Sequence, residues 1–483
     1  MRPLHHQAPA AMSRPPSKAD QRSQFTLKNI FLNGLFIAVV FFLNKFDLPG
    51  SLLAYLCLFV MAFRSTEGAI KALSLGALMI VANSYLVSIN SAHTFLRFPL
   101  VAVAGLRIFW DARRRSPGVF FQGHLVALLM FGGVSLLCAF INQYFFMVSF
   151  LKLGVFIYGT YAIMVGTDLG RTSGSDLTVW FCALVLFYIA GNLLAYGLGV
   201  GYTFRGKLIE GGGTLGLAGM TNHPQTQGPI SAISAIYAFC VYLYTPYRMR
   251  WVMGLAVPAL LVLCYMSAAR TGLFAVALAI GLIIGITFML SGGAKRIRMN
   301  VSPVQITMLG LMAVMGLVVV EAVTGGGISS KFSDFALKVI RGGGGESLSF
   351  SNVFSSRMPL IEESLVGFWE KPLTGIGFGT MLDAHWAANA TLFSAPSEKG
   401  FLPTAILEEV GIFGTLCFVT FLILFFSNYW RKRNVVVIGV MACFLFLNLG
   451  EMMFFAFGGM GAYCWSIIGA AIALGDRVVE RGR

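Results

Sequence analysis

The chain has 483 residues, of which 57% are hydrophobic and only 11% charged. A soluble domain carries roughly 25% charged residues, so the composition excludes a water-soluble globular protein and points to an all-α, polytopic membrane protein. The net charge of +15 is gathered in short clusters beside apolar runs, which fits membrane topology and anionic lipid headgroups and excludes nucleic acid as the partner.

Residues 1–24, rich in Pro, Ser, His and Arg, are expected to form a disordered cytoplasmic tail. About fourteen apolar stretches follow, read against the roughly 20 residues that cross about 30 Å of hydrocarbon. They are 27–45, 48–63, 70–90, 94–110, 119–139, 145–166, 177–199, 226–245, 250–267, 270–290, 303–324, 400–427, 434–450 and 456–475. The second is short and the 250–290 pair closely spaced, so twelve spans is the alternative count. The first run lacks a small-residue cleavage site and is expected to stay as an uncleaved span. The expected organisation is a membrane domain of about eleven helices over 25–324 with an outward loop near 200–225. A large outward loop over 325–400, three last membrane helices over 401–475 and a cytoplasmic tail over 476–483 complete it.

Lys and Arg crowd into every second connection: Arg64 with Lys71, Arg113 to Arg115, Arg248 with Arg250, Lys295 to Arg298, and Arg431 to Arg433. The positive-inside rule places these in the cytoplasm, with both termini. The eight cysteines lie singly in apolar stretches, a spacing that suggests neither a metal site nor a disulfide framework. No cofactor or metal is expected.

Within the large loop, Phe332, Phe335, Ala336, Val339 and Ile340 recur at helical spacing and predict a short interfacial helix over Ser330–Arg341. A second helix is expected from about Asn352 to Trp369, with Ser351 or Asn352 as its N-cap. It should end near Lys371-Pro372, since the residue before proline disfavours helix. Gly375, Gly377 and Gly379 then form a turn whose backbone can approach something closely. Their spacing and context are not those of a dinucleotide fingerprint.

The outward connections hold cations that the topology rule does not ask for: Arg205, Lys207, Arg270 and Arg357. Arg270, in Ser267-Ala-Ala-Arg270-Thr-Gly, sits between two spans with almost no loop around it. Either it snorkels to the interface or it serves a site. Arg357 has Glu362 and Glu363 about a turn later, so a local salt bridge competes with an anion site. Guanidinium forks suit phosphate, because two parallel hydrogen bonds meet two oxygens at any relevant pH. Three converging arginines would hold a diphosphate and stabilise it as a leaving group. A transferase also needs a base, and the outward candidates are Glu398, Glu408, Glu409, His223 and His385. Lys45, Lys152, Lys371 and Lys399 are explained by interface anchoring or loop solvation, and Asn448 and Glu451 by packing.

The order of these motifs resembles the O-antigen ligase and Wzy-type polysaccharide polymerase family of bacterial inner membranes. The resemblance rests on Arg205 followed by a glycine-rich segment and His223-Pro224, and on Ser267-x-x-Arg270. It rests also on Arg357-x(11)-Trp369-Glu-Lys-Pro-Leu-x-Gly375-x-Gly377-x-Gly379, and on Phe401-Leu402-x(5)-Glu408-Glu409-x-Gly411-x-x-Gly414. It covers about 200 to 430; the N-terminal half is similar only in topology.

The resemblance implies a GT-C glycosyltransferase acting at the periplasmic face on a glycan linked through diphosphate to undecaprenol. Arg270 and Arg357 would hold the donor diphosphate, with Arg205 assisting. A glycan acceptor hydroxyl would attack the anomeric carbon, with a chain-length regulator or flippase as a further partner. Ligases of this family place a histidine shortly before the Phe-Leu segment, where this chain has Glu398. That departure favours a polymerase of exopolysaccharide or O-antigen repeats over a ligase acting on a lipid A core or protein. It leaves the base open among Glu398, Glu409 and His385. A transporter or flippase of lipid-linked sugar is the alternative of another class.

Overall fold

The computed structural model describes residues 26–88, 91–142, 146–169, 174–205, 214–246, 248–267, 269–291, 301–323, 357–380 and 399–481. These residues are almost wholly helical. The helices are α1 (Leu27–Leu43), α2 (Asp47–Arg64), α3 (Thr66–Ile80), α4 (Ser91–Arg115), α5 (Gly123–Asn142), α6 (Phe146–Leu169), α7 (Gly174–Gly197), α8 (Pro224–Tyr244), α9 (Met249–Met266), α10 (Arg270–Ser291), α11 (Pro303–Val323), α12 (Met358–Glu370), α13 (Leu402–Arg431), α14 (Val435–Leu447) and α15 (Met460–Arg481). Among the described residues nine helical segments are long and apolar enough to cross a membrane. Large apolar side chains such as Phe31, Leu106, Leu137, Leu193, Leu311 and Leu416 stand exposed on their outer faces. In water such a belt would drive aggregation; facing lipid it needs no cover.

Helix α15 is the hub, packing against α3, α6, α7, α8 and α14. Helix α8 is buried along almost its whole length, and its Ser231, Ser234 and alanines let neighbours approach closely. Lipid is as apolar as leucine, so small residues and interhelical hydrogen bonds drive such packing, at about 0.6 kcal/mol for an average polar contact. Tyr188 on α7 meets Gln227 Oε1 at 2.6 Å and Ser231 Oγ at 3.1 Å. Ser234 meets the Tyr463 hydroxyl at 3.0 Å, and the Trp180 indole donates to Ser74 Oγ at 3.0 Å.

Charged contacts gather at the two ends of the helices. One end holds Lys71 with Asp176, Arg107 with Asp111 (3.1 Å) and Lys432 with Asp168 (3.8 Å). The other holds Arg357 with Glu451, and Lys399 with Glu408 and Glu409. This separation is what alternating helix directions produce.

Three expectations need correction. The apolar run 70–90 is not helical throughout: α3 stops at Ile80, and the next residues pair with the connection before α8. Asn83 N donates to Met220 O and Asn222 N to Val81 O, both at 2.9 Å, while Asn83 Nδ2 donates to Gly219 O at 2.9 Å. A buried asparagine offering backbone-like bonds competes with the helix, and hydropathy does not register it. The 200–225 connection is not all loop either, since β1 (Tyr202–Arg205) pairs antiparallel with β2 (Thr214–Leu217). Helix α12 spans Met358–Glu370, with Arg357 at the N-cap position; the suggested caps Ser351 and Asn352 lie outside the described residues, as does the segment Ser330–Arg341.

Candidate functional site

The glycine turn after α12 is locked into a break in α13. At Gly411 the backbone turns to φ 61°, ψ −167°, so Ile412 N and Phe413 N no longer reach the carbonyls of Glu408 and Glu409. Ile412 N donates instead to Pro372 O (2.9 Å) and Phe413 N to Leu373 O (3.3 Å). The two freed carbonyls accept from Ile376 N (2.8 Å) and Gly377 N (3.0 Å). Every group released by the break is satisfied by the turn, as buried backbone requires. The expected close approach is therefore real, and what the turn approaches is α13. From α5, Asn142 Nδ2 donates to Gly375 O at 2.6 Å.

Glycine is needed on both sides of this crossing. A Cβ on Gly411 would lie 2.4 Å from Leu373 O, and one on Gly375 (φ 67°) 2.5 Å from Glu409 C. The Gly411 conformation belongs to a region that essentially only glycine occupies. Gly411→Ala is expected to cost more than about 1–3 kcal/mol, because a clash with backbone adds to the dihedral strain. A lower melting temperature in detergent and reduced membrane abundance would show it; a wild-type melt would mean that the crossing is not rigid.

Above the break sits a buried charge cluster. Lys399 Nζ lies 2.9 Å from Glu408 Oε2 and 3.5 Å from Glu409 Oε1, with the three side chains 1%, 3% and 1% exposed. The ammonium of Lys152, on α6, donates to Gly379 O at 2.7 Å. Neither lysine is the interface anchor or solvated loop residue that its sequence context suggests. The signal lay in the carboxylates: two adjacent glutamates inside an apolar helix call for buried cations. Both glutamates lie within ion-pair distance of Lys399.

Arg357 pairs across the chain with Glu451, not with Glu362 or Glu363, which are exposed. Glu451 is therefore more than a packing group. It is presented by the α14–α15 connection, which Asn448 organises by accepting from Met453 N (2.9 Å) and Phe454 N (2.8 Å) through Oδ1. Gly400 (φ 63°) packs on Arg357, and a Cβ there would lie 2.9 Å from Nη1. Leu402 N donates to Asn448 O at 3.0 Å, which ties the start of α13 to the same connection.

Arg270 opens α10 with its side chain exposed. Its neighbour Thr271 is seated on Gly450, where a Cβ would meet Thr271 Oγ1 at 2.2 Å, so Arg270 and Glu451 belong to segments in direct contact. On the other side, a Cβ on Gly216 of β2 would lie 3.2 Å from Ser267 O. That contact carries the hairpin holding Arg205 onto the Ser267–Arg270 turn. The contacts thus run unbroken from the hairpin through Ser267–Thr271, Gly450–Glu451, Arg357 and Gly400 to Lys399 and Glu408.

The backbone of Arg205 is in β1, but its side chain lies outside the described residues, as do His385, Glu398 and Lys207. His223 is the N-cap of α8, its Nδ1 accepting from Gln225 N at 3.1 Å, which gives it a structural task. No protein-family model matches the chain, and no curated protein matches it.

Proposed function

We propose that the chain is a periplasmic-face glycosyltransferase that polymerises undecaprenyl-diphosphate-linked oligosaccharide repeats. The observation that supports this most is the contact path that joins the Arg205 strand, the Arg270 turn and the Arg357–Glu451 pair at one end of the bundle. A diphosphate needs such forks, brought together from segments far apart in sequence. The proposed topology has fourteen spans with both termini in the cytoplasm of an inner membrane. It turns the Arg357 end and the 325–400 segment to the periplasm.

In this reading Arg270 and Arg357 bind the donor diphosphate and Arg205 assists. Glu451 holds the Arg357 guanidinium in place until the diphosphate competes for it. The acceptor hydroxyl attacks the anomeric carbon with inversion, and the bonding pair leaves with the diphosphate, whose growing charge the arginines stabilise. The hydroxyl proton passes to a base. Glu409 is enclosed with Lys399 beneath the glycine turn, which favours Glu398 or His385 for that task.

A deletion strain is expected to accumulate single lipid-linked repeat units on the periplasmic face. Finished lipid-linked chains would make the protein a ligase, and precursors trapped at the cytoplasmic face would make it a flippase.

A further inference from the structure

Helix α1 packs mainly on α7, whereas α2 packs on α3 and α4. Between them a groove of about 670 Å3 is left at the end of the bundle that holds Lys71 with Asp176. Most of its lining is apolar. Phe36 of α1 meets Trp180 of α7 with ring centroids 6.2 Å apart, and both rings border the groove. Val60 of α2 stands exposed on its rim, so the groove opens sideways to lipid.

The charged part of the lining comes from helix ends. Arg64 is the last residue of α2, Lys71 lies in the second turn of α3, and Asp176 lies in the first turn of α7. Lys71 is already engaged. Its ammonium donates to Asp176 Oδ2 and sits 5.6 Å from the centre of the Trp180 ring. The other two charges remain open: Arg64 is exposed, and 44% of the Asp176 side chain is accessible. Ser65, the N-cap of α3, also borders the groove, and the start of that helix adds partial positive charge beside Arg64.

This set of surfaces discriminates among amphiphiles. A wholly basic pocket between membrane helices selects anionic headgroups, but here an accessible carboxylate stands in the same groove and repels them. A headgroup that carries both signs answers both residues. Ethanolamine phosphate offers a phosphate to Arg64 and a primary ammonium to Asp176, while its acyl chains cover Phe36 and Trp180. A trimethylated ammonium keeps the charge but has no N–H to donate.

We infer that this groove is a binding site for phosphatidylethanolamine, in the cytoplasmic leaflet under the topology proposed above. It lies at the opposite end of the helices from the arginine site and does not depend on the transferase reading. The bound lipid fills the gap between α1 and α2, so the first helix pair is joined to the bundle partly through a phospholipid.

The test uses the full-length protein in nanodiscs of equal parts phosphatidylethanolamine, phosphatidylglycerol and phosphatidylcholine. After release into mild detergent, the phospholipid still bound is identified by native mass spectrometry. The wild type is expected to retain phosphatidylethanolamine about tenfold over phosphatidylcholine, the worth of one hydrogen bond to a charged group. Asp176→Asn, which still accepts from Lys71, should lose that preference, and Arg64→Gln should weaken retention of all three lipids. Val60→Trp fills the groove and leaves every charge in place, and it should abolish retention. Leu137→Trp, on the lipid-exposed face of α5, should leave retention unchanged. Equal retention of the three lipids by the wild type, or none, overturns the inference, and preference for phosphatidylglycerol replaces it with an anionic-lipid site. Phosphatidylethanolamine retained by Val60→Trp also overturns it, and that variant decides the matter even where Asp176→Asn does not fold.

Discussion

Arg270→Ala is expected to lower transfer from a polyprenyl-diphosphate donor by at least about 100-fold, the loss typical when a group aimed at developing negative charge is removed. Membrane abundance should change little, because Arg270 is exposed at the start of α10. Arg357→Ala should cost the same in activity and also lower abundance, since it leaves the mostly buried Glu451 carboxylate without its guanidinium. The double change Arg357→Ala with Glu451→Gln separates the two effects. Abundance should return, while polymer length on a gel should remain that of single repeats. Long-chain polymer in Arg270→Ala cells would falsify the diphosphate assignment.

Lys399→Met should have the largest effect on stability. It removes the ammonium lying between Glu408 and Glu409 and leaves two adjacent carboxylates in a site 1–3% exposed. Breaking a buried ion pair from one side costs about 3–5 kcal/mol, a large share of what holds a folded protein together. The expected result is near-complete loss of folded protein from the membrane fraction. Adding Glu408→Gln and Glu409→Gln to Lys399→Met should restore much of it, because no carboxylate is then stranded. If Lys399→Met melts like the wild type, the cluster is not a structural element, and a direct part for Glu409 in proton transfer gains ground.

Much of the membrane architecture could be read from the chain, because the span signal is physically simple. A run such as Phe146–Leu169 or Arg270–Ser291 has to be apolar and about one bilayer long, and little else produces that pattern. The end of α12 at Lys371-Pro372 and the glycine turn were legible for a similarly local reason. Pairings between distant segments were not. Nothing within a few residues of Arg357 names Glu451 as its partner, and nothing near Lys152 announces the Gly379 carbonyl. The early end of α3 shows the same limit from the other side, since Asn83 stops the helix only because Gly219 and Met220 are there to receive it. Local sequence carries propensity and hydropathy, whereas these features are decided by what lies opposite in the folded bundle.

The central position of α15 has a consequence for biogenesis. It is made after every helix it touches, so α3, α6, α7 and α8 must enter the bilayer before the element they enclose exists. Until then Ser234 lacks the Tyr463 hydroxyl, and a helix shaped for burial on all sides has one flank against lipid. Closure of the bundle is therefore a late, post-insertion event that awaits the arrival of α15. A ribosome stalled before Met460 would leave an assembly of inserted helices without a centre, a natural substrate for membrane quality control.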